Sequence, residues 1–131
     1  YQRIEGLNVA DLNWGTANAK TVTLSFQVYS SLTGTFGGSL CNGAQNRSYP
    51  FTYTISSANT WATISITVAG DTSGTWIGAT NGIGMTVIWG ISIGYSAVIG
   101  SPGVWASADY RTCTGATNAW SGSTPSSPNT S

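Results

Sequence analysis

The side chains able to do proton chemistry are few. The chain has 131 residues, four Lys or Arg, four Asp or Glu and no histidine. General acid and base catalysis draws most often on histidine and otherwise on a tuned carboxyl, so the list reduces to Glu5, Asp11, Asp71 and Asp109. Glycoside cleavage needs two such groups across the bond. Glu5 with Asp11, or Asp71 with Asp109, are the conceivable pairs, and chance is the better account of either. Cys41 and Cys113 have no histidine base to activate them. The two thiols form one bridge closing a long loop or lie buried and inert, and the spacing leaves both readings open. Asp11 with Asn13, and Asp71 with Thr72 and Ser73, offer oxygens that a Ca²⁺ ion takes. They are better read as Asx-turns, with the carboxylate accepting a local backbone N–H. No catalytic residue, metal or cofactor is expected.

Binding chemistry is better supplied. Six tryptophans stand among uncharged hydrogen-bonding residues, Ser, Thr, Gly and Asn making up nearly half of the chain. An indole face stacks on a sugar ring while amides and carboxylates bind its hydroxyls. Trp14, Trp76 and Trp105, in loop-like or Gly-flanked contexts beside Asn13 and Asp71, are the residues expected to form such a glycan platform. Core or subunit packing is the commoner role for any one of them, so the platform stands only as a group. Trp89 reads as core, and Trp61, at a strand start after Asn59 and Thr60, as a cap on the core.

The elements that must position these residues are strands. Val22, Leu24, Phe26 and Val28 alternate with Thr21, Thr23, Ser25 and Gln27, the period of a half-buried strand. The alternation recurs at Phe51, Tyr53 and Ile55, at Ile64, Ile66 and Val68, and from Ile83 through Met85, Val87, Trp89, Ile91 and Ile93. Between the runs lie Thr33-Gly34, Asn42-Gly43, Ser73-Gly74 and Asn81-Gly82, pairs suited to tight turns. No segment offers a helix of ordinary length; Ala10 to Ala19 reads as a loop or a single turn. Short connections require antiparallel pairing. The expected fold is all-β, an antiparallel β-sandwich of jelly-roll type, although the pattern fits an immunoglobulin-like sandwich as well. One domain over 1–120 and a Ser/Thr/Pro-rich tail or linker over 121–131 complete the division. Tyr1, with no initiating Met or signal peptide before it, is expected to follow a processing event or lie inside a longer polypeptide.

A longer string carries a resemblance. QRIEGLNVADLNWGTANAKTVTLSF, from Gln2 to Phe26, is followed by VYSSLTGTFGG, NRSYPFTYTI, ANTW, GDTSGTW and NGIG. This order resembles a domain of tailed-bacteriophage virion structural and tail-fibre-like proteins, one with a carbohydrate-binding-like β-sandwich, and covers Tyr1 to about Gly90. The resemblance implies a fibre, decoration or appendage subunit displayed outside the particle, with a virion or extracellular location and no known active site. In that family a final strand follows the NGIG strand. Here VWASADYRTCTGATNAW leads into the tail, so the closing strand falls to a segment between Val104 and Trp120 or to a neighbouring chain.

Charge narrows the partners. Arg3, Lys20, Arg47 and Arg111 are scattered singly at zero formal net charge, which leaves no footprint for nucleic acid. The most apolar window, Ile83 to Ile99, is broken by Gly84, Gly90 and Gly94 and does not span a membrane. Uncharged strand edges and aromatic residues favour contact with copies of the chain. The expectation is a non-enzymatic structural protein forming a homo-oligomer such as a trimer, or binding other virion proteins, with recognition of a host surface glycan as the alternative.

Overall fold

The computed structural model describes residues 1–91 and 99–117. The chain runs β1 (Gln2–Glu5), a four-residue helix α1 (Gly6–Val9), a 3-10 turn (Ala10–Leu12), β2 (Val22–Val28), β3 (Gly34–Asn42), β4 (Ser48–Ile55), β5 (Ala62–Val68), β6 (Ile83–Gly90), β7 (Ile99–Gly100) and β8 (Thr112–Cys113). It is an all-β protein whose larger sheets are antiparallel.

Three antiparallel pairs are nested within one another. β3 pairs with β4, β2 with β5 outside them, and β1 with β6 outside those. A further antiparallel contact of β3 with β6 joins two of the pairs into a four-stranded sheet, β1-β6-β3-β4, and leaves β2-β5 as a separate ribbon. Alternation places Val22, Leu24, Phe26 and Val28 inward against this sheet while Thr23, Ser25 and Gln27 face out. β5 follows the same rule with Ile64, Ile66 and Val68 inward. Phe26 meets Phe51, Tyr53 and Trp89 of the sheet at ring separations of 6.4, 5.2 and 5.4 Å. The core between the layers is Phe36, Leu40, Phe51, Tyr53, Ile55, Val68, Met85 and Val87, with Trp14 at one end.

The other face of the four-stranded sheet is also covered, which a half-buried alternation does not anticipate. β3 is buried from Phe36 onward, with Phe36 and Leu40 toward the ribbon and Ser39 and Cys41 on the opposite side. A Cβ on Gly37 would collide with Thr112 Oγ1 and lie 2.8 Å from Cys113 Sγ, so residues 112–116 sit directly on the β3 backbone. α1 covers β6, and Val9 Cγ2 would lie 2.5 Å from a Cβ on Gly84. Small residues on this face let the covering chain approach closely.

The described part of the segment expected to supply a closing strand acts differently. Gly103 N–H donates to Pro50 O, and Ala106 exchanges two backbone hydrogen bonds with Ser48, so an irregular run follows part of the β4 edge. β7 and β8 then make a two-residue parallel pair, an exception to the expected antiparallel rule. Both cysteines are free and buried. Cys113 Sγ donates to Phe51 O at 3.1 Å, and Cys41 Sγ lies 3.8 Å from Tyr110 O.

Two turn expectations move by a few residues. Gly34 and Gly74 take positive φ, as their pairs require. At Asn42-Gly43 and Asn81-Gly82 the positive φ instead falls on Gln45 and Ala79. Asn42 is itself the reason for the first: its Oδ1 accepts from the N–H groups of Asn46 and Arg47 and builds the turn beyond it. The expected strand through Ile93 ends at Gly90, and Ile93 itself, Trp120 and the whole 121–131 tail lie outside the described residues.

Candidate functional site

Trp14, Trp76 and Trp105 come from three distant loops and converge. Their ring centroids lie 4.8 to 5.3 Å apart, each pair within about 10° of perpendicular. Edge-to-face packing places a positive ring edge against a negative face, and three mutual contacts of this kind lock the loops together. Tyr49 adds a fourth ring, 5.2 Å from Trp105. The cluster sits where β2 begins and β5 ends.

Each indole N–H has a protein acceptor. Trp14 Nε1 donates to Lys20 O at 2.7 Å, Trp105 Nε1 to Ala69 O at 2.8 Å, and Trp76 Nε1 to Asp71 Oδ2 and Ser73 O, both at 3.2 Å. Asp71 forms the expected Asx-turn, accepting from Ser73 N–H at 3.1 Å. It also receives a two-pronged ion pair from Arg47, Nε to Oδ2 at 2.7 Å and Nη2 to Oδ1 at 2.6 Å. Arg47 Nη1 continues to Ser107 Oγ at 2.8 Å. The planar guanidinium matches the carboxylate in two parallel bonds, and that contact raises the Arg47 pKa above its ordinary value. Gly74 makes room for it: its φ is +79°, and a Cβ there would lie 2.5 Å from Arg47 Cγ.

At Trp14 and Asp71 this geometry departs from the expected platform. Trp14 is only 7 % exposed and Asp71 2 %, so neither offers a sugar a face or a free oxygen. Trp76 and Trp105 are half-buried and pack edge-to-face with each other and with Trp14. Asn13 remains exposed in the left-handed region, at the lip of a cavity of about 210 Å³ that Trp14 and Trp76 also line. That is below the range of small-molecule pockets, roughly 300–1,000 Å³. The cluster is a clamp on three loops.

Two of the four acids are likewise engaged by arginines. Asp71 pairs with Arg47, and Asp109 Oδ2 accepts from Arg111 at 2.8 Å. Among the described residues no group of three or more His, Cys, Asp or Glu side chains is placed to hold a metal ion. Burial pushes the thiols of Cys41 and Cys113 up to about 11, away from the reactive thiolate.

Trp61 is a second correction. Far from capping the core it is 68 % exposed, and its ring lies 5.4 Å from that of Tyr29, itself 52 % exposed. Beside this pair, where β2 ends, a cavity of about 480 Å³ opens between the layers against Phe26, Phe36, Tyr53 and Trp89. Trp89 belongs to the core wall as expected, yet its Nε1 is buried without an acceptor among the described residues. Arg47, Tyr29 and this cavity had no local sequence signal. Arg47 and Asp71 are 24 positions apart, and nothing in either neighbourhood marks them as partners.

Comparison with known proteins finds no matching family model, no matching curated protein and no matching solved structure. Among the described residues no helix is long and apolar enough to cross a membrane.

Proposed function

We propose that this chain is a non-enzymatic structural subunit that joins copies of itself through the β2–β5 ribbon. The observation that carries the reading is the ribbon's character. Its two strands hold no charged residue, its outer face is Thr23, Ser25, Gln27, Thr63, Ser65 and Thr67, and among the described residues neither outer edge is paired. Monomeric proteins commonly protect such edges with Lys, Pro, bulges or a covering segment, and this chain does cover part of its β4 edge. The exposed Tyr29–Trp61 pair at one end of the ribbon suits an aromatic anchor in an interface.

The nested pairing of β1 with β6, β2 with β5 and β3 with β4 supports reading the fold as a small jelly-roll-like sandwich, with three wound pairs where the common form has four. Such folds are frequent in viral capsid and lectin domains but do not specify a function. The virion setting, as a fibre, decoration or appendage subunit outside the particle, rests on the bacteriophage resemblance of the stretch from Tyr1 to about Gly90. Glycan recognition by Trp14, Trp76 and Trp105 has no comparable support, because their N–H donors and Asp71 are already engaged.

Sedimentation or light scattering across a concentration series tests the proposal. Wild type is expected as a discrete homo-oligomer, a trimer being one closed form, and Ser25→Lys or Ser65→Lys as a folded monomer with an unchanged circular dichroism spectrum. A wild-type protein that stays monomeric at high concentration would sink the idea.

A further inference from the structure

Asn is followed by Gly at Asn42-Gly43 and at Asn81-Gly82, and the fold gives the two pairs opposite surroundings. The amide nitrogen of a glycine, which has no side chain to hinder approach, can attack the carboxamide carbon of the Asn before it. Asn42 is locked against this. It is fully buried. Its Nδ2 donates to Asn46 Oδ1 at 2.7 Å and Thr75 O at 3.0 Å, and its Oδ1 accepts from the N–H groups of Asn46 and Arg47 at 3.0 and 3.1 Å. Gly43 in turn lies so close to Ile83 O that a Cβ would collide with it.

Asn81 has none of these restraints. It is exposed in the bend before β6, and among the described residues no hydrogen bond engages its side chain. The Gly82 N–H donates to Thr80 Oγ1 at a long 3.3 Å. The carbonyls on either side of Asn81 do hold something. Gly6 N–H donates to Gly82 O at 2.8 Å and Leu7 N–H to Thr80 O at 2.9 Å, which satisfies the first turn of α1 in place of a side-chain cap. A Cβ on Gly6 would lie 2.8 Å from Ile77 O and 2.9 Å from Thr80 O, so the loop sits tightly on the start of the helix.

We infer that Asn81-Gly82 is a site of spontaneous deamidation that loosens α1 from the 77–82 loop, while Asn42-Gly43 is preserved by the fold. Gly82 N, giving its proton to solvent, bonds to Asn81 Cγ, and the Cγ–Nδ2 bond breaks to release ammonia. Water then opens the succinimide. Breaking the new N–Cγ bond leaves an aspartate; breaking the original peptide C–N bond leaves an isoaspartate, whose main chain runs through Cβ and Cγ. The isoaspartate lengthens the backbone by one carbon between Thr80 O and Gly82 O, so the two contacts to α1 cannot both be kept. Either product adds a negative charge to a chain of zero formal net charge, in a surface depression that Asn81 shares with Arg3 and Glu5. The inference is independent of self-assembly through the ribbon.

The test incubates the full chain in mildly alkaline buffer and maps its peptides by mass spectrometry. In the folded protein Asn81 is expected to gain one mass unit, and Asn42 to do so at least about tenfold more slowly, because its buried hydrogen bonds must open first. In urea the two should convert at similar rates, since both precede glycine. Gly82→Ala, whose Cβ would meet its nearest neighbours at an ordinary 3.4 Å, should fold and suppress the gain at position 81. Amide exchange at Gly6 and Leu7 should quicken in the converted fraction and stay unchanged in Gly82→Ala after the same incubation. Equal conversion of Asn42 and Asn81 in the folded chain, or conversion of Asn81 in urea alone, overturns the site. Unchanged exchange at Gly6 and Leu7 in the converted fraction overturns the loosening of α1.

Discussion

The Arg47–Asp71 pair illustrates how a polar contact shapes this protein. Removing one partner of a buried pair leaves an uncompensated charge, at a cost of about 3–5 kcal/mol. Asp71 is the more deeply buried of the two, 2 % against 13 % for the Arg47 side chain, so the order of effects is predictable. Arg47→Met, which strands the carboxylate, is expected to fall in that range. Asp71→Asn keeps one acceptor oxygen, for Ser73 N–H or for Trp76 Nε1 but not both, and leaves a guanidinium with some access to water, and is expected to cost less. Urea denaturation of both variants checks the order, and the reverse ranking would contradict the burial argument. The cysteines make a separate prediction about pH. Burial raises both thiols from 9.0 to about 11, so between these values the folded chain holds protons that the unfolded chain releases. This stability is complete below about pH 9 and is lost as pH rises through 11, on the order of 2 kcal/mol per thiol. Tyr53, raised from 10.0 by burial, adds a loss of the same sign. The denaturation midpoint should therefore drop between pH 8.5 and 10.5, and Cys41→Ala with Cys113→Ala should flatten much of the slope. A wild-type midpoint constant over that interval would exclude the effect.

Among the strands, legibility followed burial on one face or two. β2 and β5 have one face to the core and one to water, so their period of two is plain in the sequence and recurs in the burial of alternate residues. β4 and β6 were legible through Phe51, Tyr53, Ile55, Met85 and Val87, their core-facing side chains. β3 was not. Thr35-Phe36-Gly37-Gly38-Ser39 has no alternation, only Thr35 and Phe36 favour a strand, and its glycines are used for close approach, with Thr112 over Gly37 and the Phe51 ring against Gly38. β1 was missed as well, since Gln2 to Glu5 is short, largely exposed and held by pairing with β6. Gly37→Ala tests the covering contact directly. Overpacking of this kind costs about 1–3 kcal/mol, and amide exchange should quicken over residues 112–116 before it quickens over β2. Equal protection in variant and wild type at 112–116 would mean that the contact does not hold that segment.

Across the whole molecule, the low charge and the exposed ribbon lead to one expectation about assembly. Contacts between uncharged strand edges involve no ion pairs, so the self-association proposed above should change little between low and high salt, because screening acts on charges. Sedimentation at two ionic strengths measures this; a steep salt dependence would move the contact to Arg3, Glu5 or Lys20 and away from the ribbon. The candidate site was only partly legible. Asp71 was correctly read as an Asx-turn and Trp89 as core, but Trp14, expected in a platform with Trp76 and Trp105, is buried against them, and the exposed tryptophan among the described residues is Trp61. A linear chain records which residues have a large apolar face but not which faces meet one another.

The residue order was sufficient for an all-β chain with antiparallel pairing, because alternation depends only on neighbours two positions apart. Composition likewise left few proton carriers and no basic surface. Folding settled the rest: which strands nest, that 99–117 lies against the outer face of β3 and the edge of β4, and that Arg47 neutralises Asp71 from 24 residues away. It also left the buried Trp89 N–H without an acceptor among the described residues. These outcomes depend on contacts between distant segments, and the energy of such contacts exists only once packing has excluded water from both partners.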